Sequence, residues 1–245
     1  MTKAMLKHLA LFLVSILLLP VVAHAQRLHL VTVALPPLAP SAGHPGFADE
    51  VAREAFRRIG IDIDVSVLPG DRALMNVNTG LDDGDLLRTP AVEKDYPNLV
   101  RVPEKIMDFD FVGYSKNPTL RVNGLAGLKP YVVGYAAGWK IYEQKVRDYR
   151  ELTSAPSLKE LFLLLKNGRA EVVLADRWQG LWAARDAGVQ AHIIEPPFAK
   201  SPMYIYLNKQ HAALAPKLSD ALILMKADGT YQRIVDKMLR PLESP

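Results

Sequence analysis

Beyond its first 25 residues this chain keeps returning to one unit: a short aliphatic or β-branched run, a turn, then an amphipathic stretch of helical period. Leu28–Ala34 reads as a strand, and Leu35-Pro36-Pro37-Leu38-Ala39-Pro40 as the loop that stops it. Phe47, Val51, Ala55 and Ile59 recur at four-residue steps, which predicts a helix ended by Gly60. Ile61, Ile63, Val65 and Val67 alternate with polar residues and predict a half-buried strand. Asp71 is placed to cap a short helix through Asn78, and Asp85–Leu87 predicts a third strand. Strand–helix units of about 30 residues favour parallel pairing, right-handed crossovers and helices on the faces of the sheet.

The pattern pauses and then restarts. Val100–Val102 reads as a short strand and Phe109–Ser115 as extended and aromatic, before Asn117-Pro118 breaks the chain. Leu125–Lys129 forms a turn of helix and Tyr131–Tyr135 a strand. The small residues Ala136-Ala137-Gly138 lead into a helix over Trp139–Arg147. Ser157 and Glu160 have capping-box spacing at the head of a helix over Leu158–Lys166. Val172–Ala175 is apolar throughout, as for a strand covered on both faces, with Asp176 at its carboxyl end and a helix over Trp178–Ala187 behind it. Ala191–Glu195 reads as a strand ended by Pro196-Pro197, and Met203–Leu207 as another. Helices over Leu214–Lys226 and Tyr231–Leu239 finish the chain.

The first 25 residues have a different character. Lys3 and Lys7 precede an apolar run, Leu9–Val22, and Ala23-His24-Ala25 offers the small residues of a signal-peptidase site. The run is too short for a membrane span, which takes roughly 20 residues. The expectation is a secretory signal peptide over residues 1–25, cleaved before Gln26, and a periplasmic product. Cleavage removes two lysines and lowers the formal charge from +4, so the mature chain is only mildly basic. With no basic run, no nucleic-acid partner is expected. The absence of cysteine excludes disulfides, thiolate metal sites and a lipid anchor on cysteine. The six histidines show no paired-ligand spacing, and no phosphate loop, nucleophile elbow or dinucleotide fingerprint occurs. No metal and no cofactor is expected.

Several segments together resemble periplasmic solute-binding proteins of family 3, the receptors for polar amino acids in ABC uptake systems. The C-terminal helix–Lys226-Ala227-Asp228-Gly229-Thr230-Tyr231–helix pattern carries most of the likeness. Gly46-Phe47, Leu165-Lys166-Asn167-Gly168-Arg169 with Glu171 and Asp176, and Ser201–Leu207 follow the family's order. The resemblance implies a type II two-lobed α/β fold, two Rossmann-like lobes joined by two crossover strands, Phe109–Ser115 and Met203–Leu207. Lobe 1 would comprise residues 26–112 and 206–245, and lobe 2 residues 113–205. It also implies a monomeric, non-enzymatic receptor that closes on a small polar ligand, an amino acid or related compound, and delivers it to an inner-membrane ABC permease.

The candidate ligand residues are Arg88, Thr89, Ala136, Gly138, Trp139, Lys140 and Asp176. Arg88 stands just past a strand's carboxyl end, where open α/β sheets bind ligands, and its planar fork suits a carboxylate. The competing reading caps a loop with it or pairs it with Asp83 or Glu93. The resemblance gives Asp176 the ligand's ammonium; the competing reading makes it a helix cap or a partner of Arg177. It gives Ala136, Gly138, Trp139 and Lys140 the ligand's carboxylate, whereas Trp139 alone reads equally well as core. The chain departs from the family at two places: the Leu35-Pro36-Pro37-Leu38 loop lacks an aromatic, and no Thr-x-x-Arg follows Asp85 at the usual distance. Two other classes stay open, a periplasmic dehydratase on the same fold and a ligand sensor for a membrane kinase.

Overall fold

The computed structural model describes residues 27–41, 44–137, 139, 142, 146 and 149–244. The signal-peptide expectation, Gly138, Lys140 and most of the helix expected over Trp139–Arg147 lie outside them. In chain order the elements are β1 (Arg27–Thr32), α1 (Phe47–Arg58), β2 (Asp62–Val67), α2 (Gly70–Thr79), β3 (Gly84–Arg88), β4 (Leu99–Arg101), β5 (Met107–Ser115), β6 (Val132–Ala136), β7 (Glu151–Ala155), α3 (Leu158–Lys166), β8 (Val172–Asp176), α4 (Arg177–Asp186), β9 (His192–Asn208), α5 (Ala215–Ala227) and α6 (Thr230–Met238).

One curled sheet runs β2-β1-β3-β9-β5-β8-β6-β7, with β4 also on β9. The parallel units predicted from the alternation are present at both ends: β1 pairs in parallel with β2 and β3, and β6 with β7 and β8. The centre differs from an all-parallel sheet. There β5 and β9 run antiparallel to each other, β9 runs antiparallel to β3 and β4, and β5 to β8. Among the described residues, these two long strands link the two ends.

Helices cover the sheet as the apolar stripes require. Phe47, Val51, Ala55 and Phe56 of α1 are buried, and α1 packs on α5 and α6, so the C-terminal helices complete the β1–β3 end. On the other side of that end, α2 lays Ala73, Leu74 and Val77 on Val31 and Tyr206. At the β6–β8 end, α3 and α4 close a core of Tyr114, Leu161, Phe162, Leu165 and Val173. Ser157 caps α3 by accepting from the Glu160 N–H, and the Glu160 carboxylate accepts from the Ser157 hydroxyl in return.

Three expectations are corrected. Pro69, not Asp71, holds the N-cap position of α2, and Asp71 lies inside the first turn. Glu151–Ala155 is a strand that the sequence reading passed over. Pro196-Pro197 does not end a strand: β9 continues through it for 17 residues. The prolines fit because the β5–β9 register shifts between Phe111↔Ala199 and Gly113↔Ile194, so residues 195–198 bulge out of the ladder where no N–H is needed.

Candidate functional site

β3 and the carboxyl end of β8 each carry a buried aspartate with an arginine close after it, Asp85 with Arg88 and Asp176 with Arg177. In β3 the sequence places Asp85 and Arg88 three apart, which on a regular strand sends their side chains to opposite faces. The chain avoids this with a bulge. Asp85 pairs with Tyr206 and Arg88 with Tyr204, so three steps on β3 match two on β9. Leu87 takes up the extra residue with a left-handed φ of 57°. Arg88 Nε then donates to Asp85 Oδ2 at 2.7 Å, and Nη2 donates to the Gly70 carbonyl at 3.4 Å. The Arg88 partner is therefore Asp85, not Asp83 or Glu93. Asp85 is fully buried, and that burial pushes its carboxyl up to about 7 against the pull of the guanidinium. Thr89 follows, half-buried, with no side-chain capping bond.

Asp176 ends β8 and begins α4. Its Oδ1 accepts from the N–H groups of Trp178 and Gln179 at 3.0 and 3.2 Å, which is the helix-cap geometry of the competing reading. Oδ2 accepts from the Asp110 N–H at 3.2 Å. Three of about four acceptor positions on the carboxylate are thus occupied. Burial raises this carboxyl to about 7 despite the three bonds, with the Asp110 charge adding a smaller push. The pairing of Asp176 with Arg177 is not made. Arg177 instead bonds Glu195 (2.6 Å) and Asp110 (3.3 Å), and Lys200 lies 3.2 Å from Asp110. Burial opposes the Arg177 charge, but Glu195 and Asp110 more than compensate and raise it. Asp110 is the centre of this cluster at the β5–β9 bulge.

Ala136 is buried at the end of β6, paired with Ala155 of β7. Trp139 is half-buried and packed: it stacks on Tyr142 at 5.8 Å and meets Phe111 edge-on at 6.1 Å. The Tyr142 hydroxyl donates to the Ala175 carbonyl at 3.0 Å, so this aromatic group lies directly under the end of β8. Among the described residues no hydrogen bond or ion pair joins Arg88 to Asp176; each is organised within its own end of the sheet.

The signal that sequence reasoning missed is a set of orphaned polar atoms. Among the described residues, Thr32 Oγ1, Asp85 Oδ1 and Gln179 Nε2 are buried without a hydrogen-bond partner. Thr32 closes β1 beside β3, and Gln179 is in the first turn of α4. Each such atom costs roughly 1–3 kcal/mol when left unpaired. A separate small cavity connects the two ends of the molecule, between the 36–45 loop (Pro36, Pro37, His44), Trp182 of α4 and Met238 of α6. His44 and Trp182 meet there edge-on at 5.6 Å. None of the predicted site residues among those described lines it.

Two α/β ends sharing two long antiparallel strands define the fold of periplasmic solute-binding proteins, and the comparisons agree. No family model matches the chain. It is 31% identical to the ABC transporter arginine-binding protein 1 of Escherichia coli over 121 residues, 46% of this chain and 49% of that protein. It is 22% identical to an uncharacterized protein of Shewanella oneidensis over 221 residues, covering 87% and 84% of the two chains. Among solved structures, an ancestral cationic amino-acid solute-binding protein superposes with a TM-score of 0.72 at 18% identity, over 87% of this chain and 95% of that one. A probable amino-acid ABC transporter extracellular-binding protein of Bacillus subtilis gives 0.72 at 18%, over 88% and 98%. A histidine-kinase sensor domain similar to periplasmic binding proteins gives 0.67 at 15%, over 88% and 96%. The structural neighbours are solute-binding proteins of amino-acid transporters and a sensor domain on the same fold.

Proposed function

We propose that this chain is an exported, periplasmic solute-binding receptor. It captures a small polar ligand, an amino acid or a related compound, between two lobes, without turning it over, and passes it as a monomer to an ABC permease. Lobe 1 would comprise residues 26–112 and 206–245, and lobe 2 residues 113–205. The observation that carries the proposal is the set of unpartnered buried polar atoms among the described residues, Thr32 on β1 and Asp85 on β3 at one end of the sheet and Gln179 in the first turn of α4 at the other. Buried polar groups without partners are rare enough to need an explanation, and a polar ligand supplies one. Arg88, with Nη1 uncommitted, would hold an acidic group beside Thr89. Asp176 would offer its remaining acceptor position to an ammonium, and the 136–140 loop, with Trp139, would close over the ligand. Contacts from both lobes favour the closed state by their difference in affinity for it. The arginine-binding relative and the cationic amino-acid neighbour support an amino-acid ligand.

A thermal-shift screen of refolded residues 26–245 against amino acids, polyamines and small organic acids tests this. A ligand at about 100 times its Kd adds about 2.7 kcal/mol, which raises Tm by roughly 5–10 °C for a chain of this size. A screen with no shift in any class would remove the receptor reading. The similarity to a kinase sensor domain supports a second reading, in which the same closure is reported to a membrane kinase.

A further inference from the structure

The edge of the β1–β3 end carries a second chemical constellation, away from the strand ends just described. His29 of β1 has its Nδ1 2.7 Å from Asp82 Oδ1 and its Nε2 2.8 Å from Ser66 Oγ on β2. A carboxylate only accepts, so the Asp82 contact places the ring proton on Nδ1 and leaves Nε2 to accept from the Ser66 hydroxyl. Asp82 is buried, and its second oxygen accepts from Asn76 Nδ2 at 2.8 Å. The loop before β3 is clipped to β1 as well: the His29 N–H donates to Asp83 Oδ2 and the Asp83 N–H to the His29 carbonyl, both at 2.8 Å. The imidazole is therefore fixed on both sides, its carboxylate partner is held, and the serine is at hydrogen-bond distance.

We propose that Ser66, His29 and Asp82 form an acyl-transfer site for esters of apolar acyl groups. The order of contacts, serine to imidazole to buried carboxylate, is what activates a hydroxyl as a nucleophile. β2 is the outermost strand of the sheet, and the Leu68 N–H bonds the Thr32 carbonyl on β1. Strand alternation then turns the Val67 N–H outward, a backbone donor next to the nucleophile for a developing oxyanion. The acyl preference follows from the surroundings. Met75 and Leu81 are 54% and 73% exposed, and they are the chain neighbours of Asn76 and Asp82, whereas the Val67 side chain lies on the face of β2 opposite Ser66. Met75 and Leu81 account for a third of the large exposed hydrophobic side chains among the described residues. In the reaction, Ser66 Oγ bonds the acyl carbon while its proton moves to His29 Nε2, and the alkoxide leaves with that proton. Water then attacks the acyl carbon, gives a proton to His29, and the Oγ–C bond breaks as Ser66 regains its hydrogen.

The test uses a fluorophosphonate probe and p-nitrophenyl butyrate on the mature protein. Trypsin releases residues 59–72, in which Ser66 is the only hydroxyl-bearing side chain, so an adduct there is unambiguous. The expected result is one adduct per chain on that peptide and faster release of nitrophenol from the butyrate than from the acetate. Ser66→Ala loses both, and His29→Ala, still folded although Asp82 Oδ1 loses its partner, slows both by about 100-fold, the size of a general-base contribution. No adduct, an adduct elsewhere, or a Ser66 adduct formed at the same rate in His29→Ala overturns the proposal. The cleft ligand screen does not depend on these residues, so the two proposals fail separately.

Discussion

At the scale of single residues, the question is whether Asp176 serves the fold, the ligand or both, because its oxygens already hold three backbone N–H groups. Two substitutions separate the roles. Asp176→Asn keeps an oxygen for the cap, where asparagine equals aspartate, and loses the charge and the Asp110 bond. It should cost about 1 kcal/mol in urea unfolding. Asp176→Ala loses the cap as well and should cost about 2–3 kcal/mol. With a ligand role, the folded Asn variant binds the cognate ligand at least tenfold more weakly by calorimetry; unchanged binding assigns Asp176 to the cap alone. The alanine variant would not answer this, since lost binding and lost fold would coincide. How far these residues were legible in the sequence follows local geometry. Asp176 at a strand end and Ser157 as a cap are set by neighbours three residues away, and both were read correctly in position. The Asp85–Arg88 pair was not legible, because it depends on Leu87 adopting a left-handed φ beside Tyr204 and Tyr206, more than 100 residues downstream.

Among elements, the same division holds. Helices with strong apolar stripes, such as α1 and α6, were legible within a residue or two. β7, a polar edge strand read from Glu-Leu-Thr-Ser-Ala, carries no apolar alternation, and only its pairing with β6 makes it a strand. β9 hid behind Pro196-Pro197 because a bulge is a property of the partner register and not of the local sequence. Close approach between elements gives a sharper prediction. α4 packs so tightly on β5 that a Cβ at Gly180 would lie 2.3–2.5 Å from the Tyr114 ring, itself fully buried and bonded to the Arg177 carbonyl. Gly180→Ala should destabilise by about 1–3 kcal/mol in urea unfolding, although alanine is the better helix former. A neutral or stabilising result would mean that α4 can shift away from β5.

For the molecule as a whole, the two buried aspartates set a pH dependence. Both Asp85 and Asp176 are raised by burial to about 7, above the unfolded value near 4. The folded state therefore binds their protons more tightly than the unfolded chain does. Their contribution is fully present below about pH 4 and is lost as pH rises through 7. Tm should fall between pH 5 and pH 8 in low-salt buffer, and Asp176→Asn should flatten part of that slope. A Tm that rises over the same range would show that Arg88 and the backbone donors outweigh burial. The interleaving of the sheet has a last consequence, and it concerns time. β1, α1, β2, α2 and β3 are synthesised first, yet their missing strand partner, β9, and the helices that cover α1, α5 and α6, come from the final stretch of chain. β5 through β8, by contrast, are contiguous and need only the start of β9. A chain emerging from its N-terminus can thus close its middle before its beginning, and the first-made segment waits, with its apolar face uncovered, for the last-made one.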